Sequence, residues 1–162
     1  MQRRWFTDMG LILLFMAVLL VAWVALAEPR ITIYEAWAPP MPPVALTAAF
    51  YMHIRNAGNT GDTLRGAHSP ACTSIELHES FQKPGGATLG MSGVAMGAMG
   101  MRPVPDGVIA IPAQSQVELR VDGFHLMCLG KRQAFDKNAL LSLTLQFETA
   151  GEVTVPVRIR EP

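Results

Sequence analysis

The chain has no surplus of either charge. Thirteen Lys plus Arg balance thirteen Asp plus Glu, and charged residues make up only 16% of the sequence. That balance excludes a polybasic nucleic-acid surface or an acidic tail as the source of function. Cysteine is scarce, with two in 162 residues, so the fold is not a small scaffold held by many disulfides. No segment repeats at solenoid spacing. There is no Ser-His-Asp ordering, no paired-carboxylate motif and no phosphate loop, and the chain reads as a non-enzyme. What it does have is apolar content, 50% of residues, enough for one ordinary domain with its own core.

Two regions divide the chain. Arg3 and Arg4 precede an uncharged run from Gly10 to Ala27 that ends Ala25-Leu26-Ala27. A basic start, an apolar stretch and a small-x-small ending describe a secretory signal, so residues 1–27 are read as a signal peptide and 28–162 as the mature domain. The run is close to the length of roughly 20 residues that spans a bilayer as a helix, so a retained anchor helix over residues 10–27 is the other reading. Either way the domain is placed outside the cytoplasm, in the periplasm, with membrane contact only through this segment.

From Glu28 onward the apolar period is two. Runs at 31–37, 48–55, 63–67, 74–78, 107–111, 116–121, 124–129, 140–147 and 152–160 are each expected to be strands, separated by Gly, Pro, Asn and Asp. Val153, Val155, Val157 and Ile159 alternate with polar partners, and Pro156 inside that run predicts an edge or a bulge. Nine short strands without a convincing helix predict an all-β, antiparallel β-sandwich. The segment from Glu79 to Gly100, with six glycines, reads as a long mobile excursion.

The chemistry concentrates in two places. In Phe124-His125-Leu126-Met127-Cys128, strand parity puts His125 and Met127 on one face and Leu126 and Cys128 on the other. In Ile75-Glu76-Leu77-His78 the same parity sends Ile75 and Leu77 to the core and leaves His78 at the outer end of its strand. Met91, Met96, Met99 and Met101 follow within eleven glycine-rich residues. Thioether sulfur with imidazole nitrogen suits copper(I). Outside the cytoplasm thiolates are lost to disulfides, whereas Met stays a neutral ligand. Compartment also favours a disulfide between Cys72 and Cys128, with two buried thiols as the alternative. Met52 and Trp37 are expected in the core.

At these positions the chain resembles the periplasmic CuA-site copper chaperones known as PCuAC proteins. The resemblance runs through Ala36-Trp37-Ala38, Ala48-Ala49-Phe50-Tyr51-Met52, Arg55-Asn56-Ala57-Gly58, Ile75-Glu76-Leu77-His78-Glu79, Met101-Arg102-Pro103-Val104, Ile111-Pro112-Ala113 and His125-Leu126-Met127. It implies a cupredoxin-like sandwich and copper held by His78, Met101, His125 and Met127. It also implies delivery to a copper-accepting partner, such as the CuA-bearing subunit of cytochrome c oxidase or another assembly factor. The family's first His and Met stand closer together than here, where twenty-two residues separate His78 from Met101. Arg102-Pro103-Val104 aligns Met101, while Met91, with only twelve residues between it and His78, is nearer to the family spacing; both stay open as the third ligand. Doubling a flexible loop costs only about 0.6 kcal/mol of closure entropy, so the insertion is compatible with a site. Met91, Met96 and Met99 are auxiliary candidates or filler. Two other functions stand beside this one: a copper electron-transfer protein, and a metal-free β-sandwich interaction module.

Overall fold

The computed structural model describes residues 28–89 and 95–162, without the side chains of 84–89 and 95–98. The signal or anchor expected at 1–27 and Met91 lie outside the described residues, as does the side chain of Met96. Ten strands follow in order: β1 (Ile31–Ala38), β2 (Thr47–Asn56), β3 (Asp62–His68), β4 (Cys72–Leu89), β5 (Ala95–Pro103), β6 (Ile109–Ile111), β7 (Ser115–Leu119), β8 (Phe124–Lys131), β9 (Leu140–Phe147) and β10 (Glu152–Ile159). Among the described residues there is no helix. The strands pair in one series, β5-β4-β8-β7-β2-β1-β10-β9-β3-β6, with a further β8–β2 pairing.

The series curls so that both halves bury one set of inner faces. Phe50, Met52 and Ile54 of β2, Leu126 and Cys128 of β8 and Leu77 of β4 share a single core with Leu141, Leu143 and Leu145 of β9 and Val157 and Ile159 of β10. Each of these sets follows the two-residue parity expected of strands with one buried face. The Cys72 and Cys128 sulfurs are bonded within that core, their Cα atoms 5.6 Å apart, and the bond ties β4 to β8.

The sheet is not wholly antiparallel, because β1 runs parallel to β10 and β7 meets β8 in parallel at Leu119 and Phe124. Pro156 is neither on an outer strand nor at a bulge: it pairs with Ser142 of β9, and β1 pairs with β10 only at Arg158 and Ile159. The Ile159 amide donates toward β9 and the Arg160 amide toward β1, so by alternation the nitrogen of Pro156 faces the β1 side, at a level the β1–β10 pairing does not reach. No ladder bond is lost there.

Residues 79–89 and 95–100 are strand, not the long mobile excursion expected of 79–100. β4 continues through Glu79 to Leu89 and pairs antiparallel with β5, with the register shifted between Gln82 and Ala87. His78 therefore lies within a long strand, not at its end. The irregularity absorbs Pro84-Gly85-Gly86, which as a sequence looks like a break. The arm is held where Phe81 faces Gly100, since a Cβ at Gly100 would come within 2.8 Å of the Phe81 ring. Arg102 lies over the same ring at 4.9 Å and pairs with Glu79 at 2.7 Å.

Candidate metal centre

Both histidines sit on neighbouring strands at the same level. His78 of β4 is the direct cross-strand partner of His125 of β8, and such partners project to one face. Their ring centroids are 5.9 Å apart at an interplanar angle of 60°. Two residues along β8, Met127 stands opposite Glu76 of β4 on one side and Ala49 of β2 on the other. On the arm, Met101 stands opposite Ser80. Ser80, His78 and Glu76 share a face by parity, so Met101 and Met127 flank His78 on opposite diagonals, each about 7–8 Å away between Cα atoms. The structure thus puts His78, Met101, His125 and Met127 on one face of the β5-β4-β8 segment. Met101 is exposed and Met127 half-buried.

Met99, opposite Gln82, has the same parity as Met101 and is also exposed. The backbone of Met96 pairs with Thr88 farther out on the arm. His53 is engaged elsewhere: its ring stacks on Tyr34 and contacts Gln116 and Glu35.

Each site histidine has one nitrogen engaged and one idle. His125 Nδ1 is 3.1 Å from the Gly123 carbonyl, which can only accept, so the ring proton is on Nδ1 and Nε2 carries the lone pair. His78 Nε2 is 3.0 Å from a Glu76 carboxylate oxygen. The remaining nitrogens, His125 Nε2 and His78 Nδ1, are buried and have no hydrogen-bond partner. A buried, unpartnered polar atom is costly, and a pair of unpartnered imidazole nitrogens on facing rings is a donor set that fits a metal ion.

The surroundings keep His125 uncharged. Only 1% of it is exposed, and this burial pushes its pKa below the ordinary 6.5; the Gly123 hydrogen bond opposes that shift and the neighbouring His78 reinforces it. Tyr51 lies beside it, ring centroids 6.4 Å apart, and Trp37 packs on Tyr51 at 4.8 Å, with Arg160 over the Trp37 ring at 4.6 Å. Trp37 is thus part of a wall on the outer face, not of the core expected from its sequence. Burial also raises the pKa of Tyr51. Cys128 points the other way, into the core and into the disulfide.

Sequence reading alone missed Glu76, the Gly123 carbonyl and the Tyr51–Trp37 wall. Glu76 was within its reach, because two-residue parity puts it on the His78 face. The wall depends on the long-range approach of β1, β2 and β8.

The family profile described as "Putative lipoprotein LpqE-like" matches residues 31–159. The chain belongs to the LpqE-like family. A lipoprotein family acts outside the cytoplasm at a membrane, in keeping with a disulfide as the state of both cysteines. A relative, "Putative lipoprotein Lxx21020" of Leifsonia xyli subsp. xyli, is 31% identical over 115 residues, 70% of this chain and 61% of the relative. The chain therefore spans about three fifths of that relative's length. Among solved structures, the copper-bound PCuAC domain from PmoF2 superposes with a TM-score of 0.62 at 23% identity, over 84% of this chain and 97% of that one. The solution structure of CuI-DR1885 from Deinococcus radiodurans gives 0.55 at 27% identity, over 78% and 75% of the two chains. The LpqE-like chain thus has the cupredoxin-like fold of PCuAC domains.

Proposed function

We propose that this protein is a periplasmic copper(I) carrier that binds one ion through His78, Met101, His125 and Met127 and passes it to a partner protein, with no catalytic step of its own. The observation that carries this reading is the pair of idle, buried imidazole nitrogens on directly facing histidines. Two neutral nitrogens with two thioethers form a soft donor set suited to copper(I). Relatives of the same fold solved with copper support it further. Met101, exposed at the edge of the site, gives an incoming partner a ligand to replace first, so copper transfers by exchange without release to water. The recipient we infer is the CuA-bearing subunit of cytochrome c oxidase or another factor in its assembly.

Electron transfer of the blue-copper kind needs a cysteine thiolate beside two histidines. Here Cys128 is bonded to Cys72 on the opposite face, which disfavours that reading. Anaerobic titration of the 28–162 domain with copper(I) against a chelator tests the proposal: one equivalent should bind tightly. X-ray absorption should count both nitrogen and sulfur neighbours. Unchanged affinity after replacing His125 and Met127 together with Ala would refute the assignment, and absence of binding under reducing conditions would favour a metal-free interaction module.

A further inference from the structure

Resting on that reading, we propose that Glu76 is the positioning residue of the site: its carboxylate holds the His78 ring proton on Nε2 and so presents Nδ1 to the metal. An ionised carboxylate only accepts hydrogen bonds, so the 3.0 Å contact between Glu76 Oε2 and His78 Nε2 requires the proton on Nε2. A neutral imidazole has one N–H, which leaves the lone pair on Nδ1, and that is the nitrogen found buried and without a partner. The other histidine is arranged the opposite way, since the Gly123 carbonyl takes the proton of His125 Nδ1 and leaves Nε2 idle.

The two rings therefore offer unlike nitrogens, Nδ1 from His78 and Nε2 from His125. Glu76 also stands directly opposite Met127, so it neighbours two of the four donors, one across the strand pair and one two residues along its own strand. A carboxylate behind a ligating imidazole fixes ring orientation and makes the ring a stronger donor. Here it does one thing more. Four neutral ligands around copper(I) leave a net charge of +1, and the Glu76 carboxylate is a nearby anion that balances it. Glu76 is half exposed, 47% for its side chain, so its replacement leaves the core untouched.

The test uses 15N-labelled 28–162 domain as wild type, Glu76→Gln and Glu76→Ala, each read by long-range ring 1H–15N spectra and by copper(I) competition. In the metal-free wild type His78 should be protonated at Nε2 and not at Nδ1, and copper(I) should shift Nδ1. Glu76→Ala should give a mixture of His78 tautomers and a loss of about 10–100-fold in copper(I) affinity. Glu76→Gln, whose amide oxygen still accepts from Nε2, should keep the tautomer and lose less. An Nδ1-protonated His78 in the metal-free wild type, or an Ala variant that binds copper(I) as tightly as wild type or more so, overturns the proposal. Failure of the wild type to bind copper(I) overturns the copper reading instead, and the metal-free tautomer comparison then judges the hold of Glu76 on His78 by itself.

Discussion

His78 and His125 face each other across β4 and β8, and each has one ring nitrogen buried without a hydrogen-bond partner. The arrangement makes the two rings a unit, so neither alone should retain a tight site. His78→Ala and His125→Ala are each expected to weaken copper(I) binding by more than tenfold, a loss above about 1.4 kcal/mol. Met101→Ala should cost less, because its exposed thioether gives way to water or a neighbouring Met99 sulfur more readily. Competition titrations on the three variants check the order.

Acid should loosen the metal-free fold through His125. Its folded pKa lies below the unfolded value near 6.5 because burial penalises the charged ring. Between the two values the unfolded chain binds the proton and the folded chain does not, so stability rises with pH across that window. Its contribution is complete above about 6.5 and falls away as pH drops toward the folded pKa. Urea midpoints for the metal-free domain should therefore decrease from pH 7.5 to pH 5. His125→Gln, which has no ring to protonate, should flatten that part of the profile. An equally steep profile in the variant would count against His125 as the cause.

The alternation in Phe124-His125-Leu126-Met127-Cys128 was legible because a strand with one buried face encodes that face at every second residue; Leu126 and Cys128 are buried in the core as parity requires. The arm was not legible. Pro84-Gly85-Gly86 removes a donor and loosens the backbone, and local propensity reads that as a break, whereas pairing with β5 and one shift of register carry the strand through it. Trp37 misled for a related reason: a large aromatic in an apolar run predicts core, yet it packs outside on Tyr51 beneath Arg160. The parallel β1–β10 pairing depends on which strands meet across more than a hundred residues, and periodicity within one strand carries no information about that.

The bond between Cys72 and Cys128 closes a loop of 56 residues in sequence separation. In the chain-entropy description such a loop stabilises the fold by about 4 kcal/mol. Cys72→Ser with Cys128→Ser should lower unfolding free energy by about that much in denaturant titrations. Copper(I) affinity should change by less than tenfold, since the His78–His125 register is also held by the β4–β8 ladder from Ser74 to Glu79. A collapse of affinity at full folding would mean that the bond itself sets the histidine geometry.

Gly100 links the arm to the site. Its place opposite Phe81 leaves room for the ring only because there is no side chain, and an added Cβ would lie 2.8 Å from Phe81 and 3.0 Å from the Lys83 stem. Both obstacles end in movable side chains, so the expected response to Gly100→Val is that Phe81 swings away and loses its contact with Arg102. The cost should be of the order of 1–3 kcal/mol, the usual range for overpacking, and should fall on the arm before the sandwich. Amide exchange should accelerate in β4 beyond Glu79 and in β5 while the β9–β10 ladder is unchanged. Because Met101 is carried by the same arm, copper(I) affinity should fall toward that of Met101→Ala. Gly107→Ala serves as the control: its φ of +66° makes the change strained, but nothing lies within 4 Å of the new Cβ. It should cost some stability and leave the affinity alone. An affinity loss in Gly107→Ala equal to that in Gly100→Val would show that general destabilisation, not the arm, governs the site.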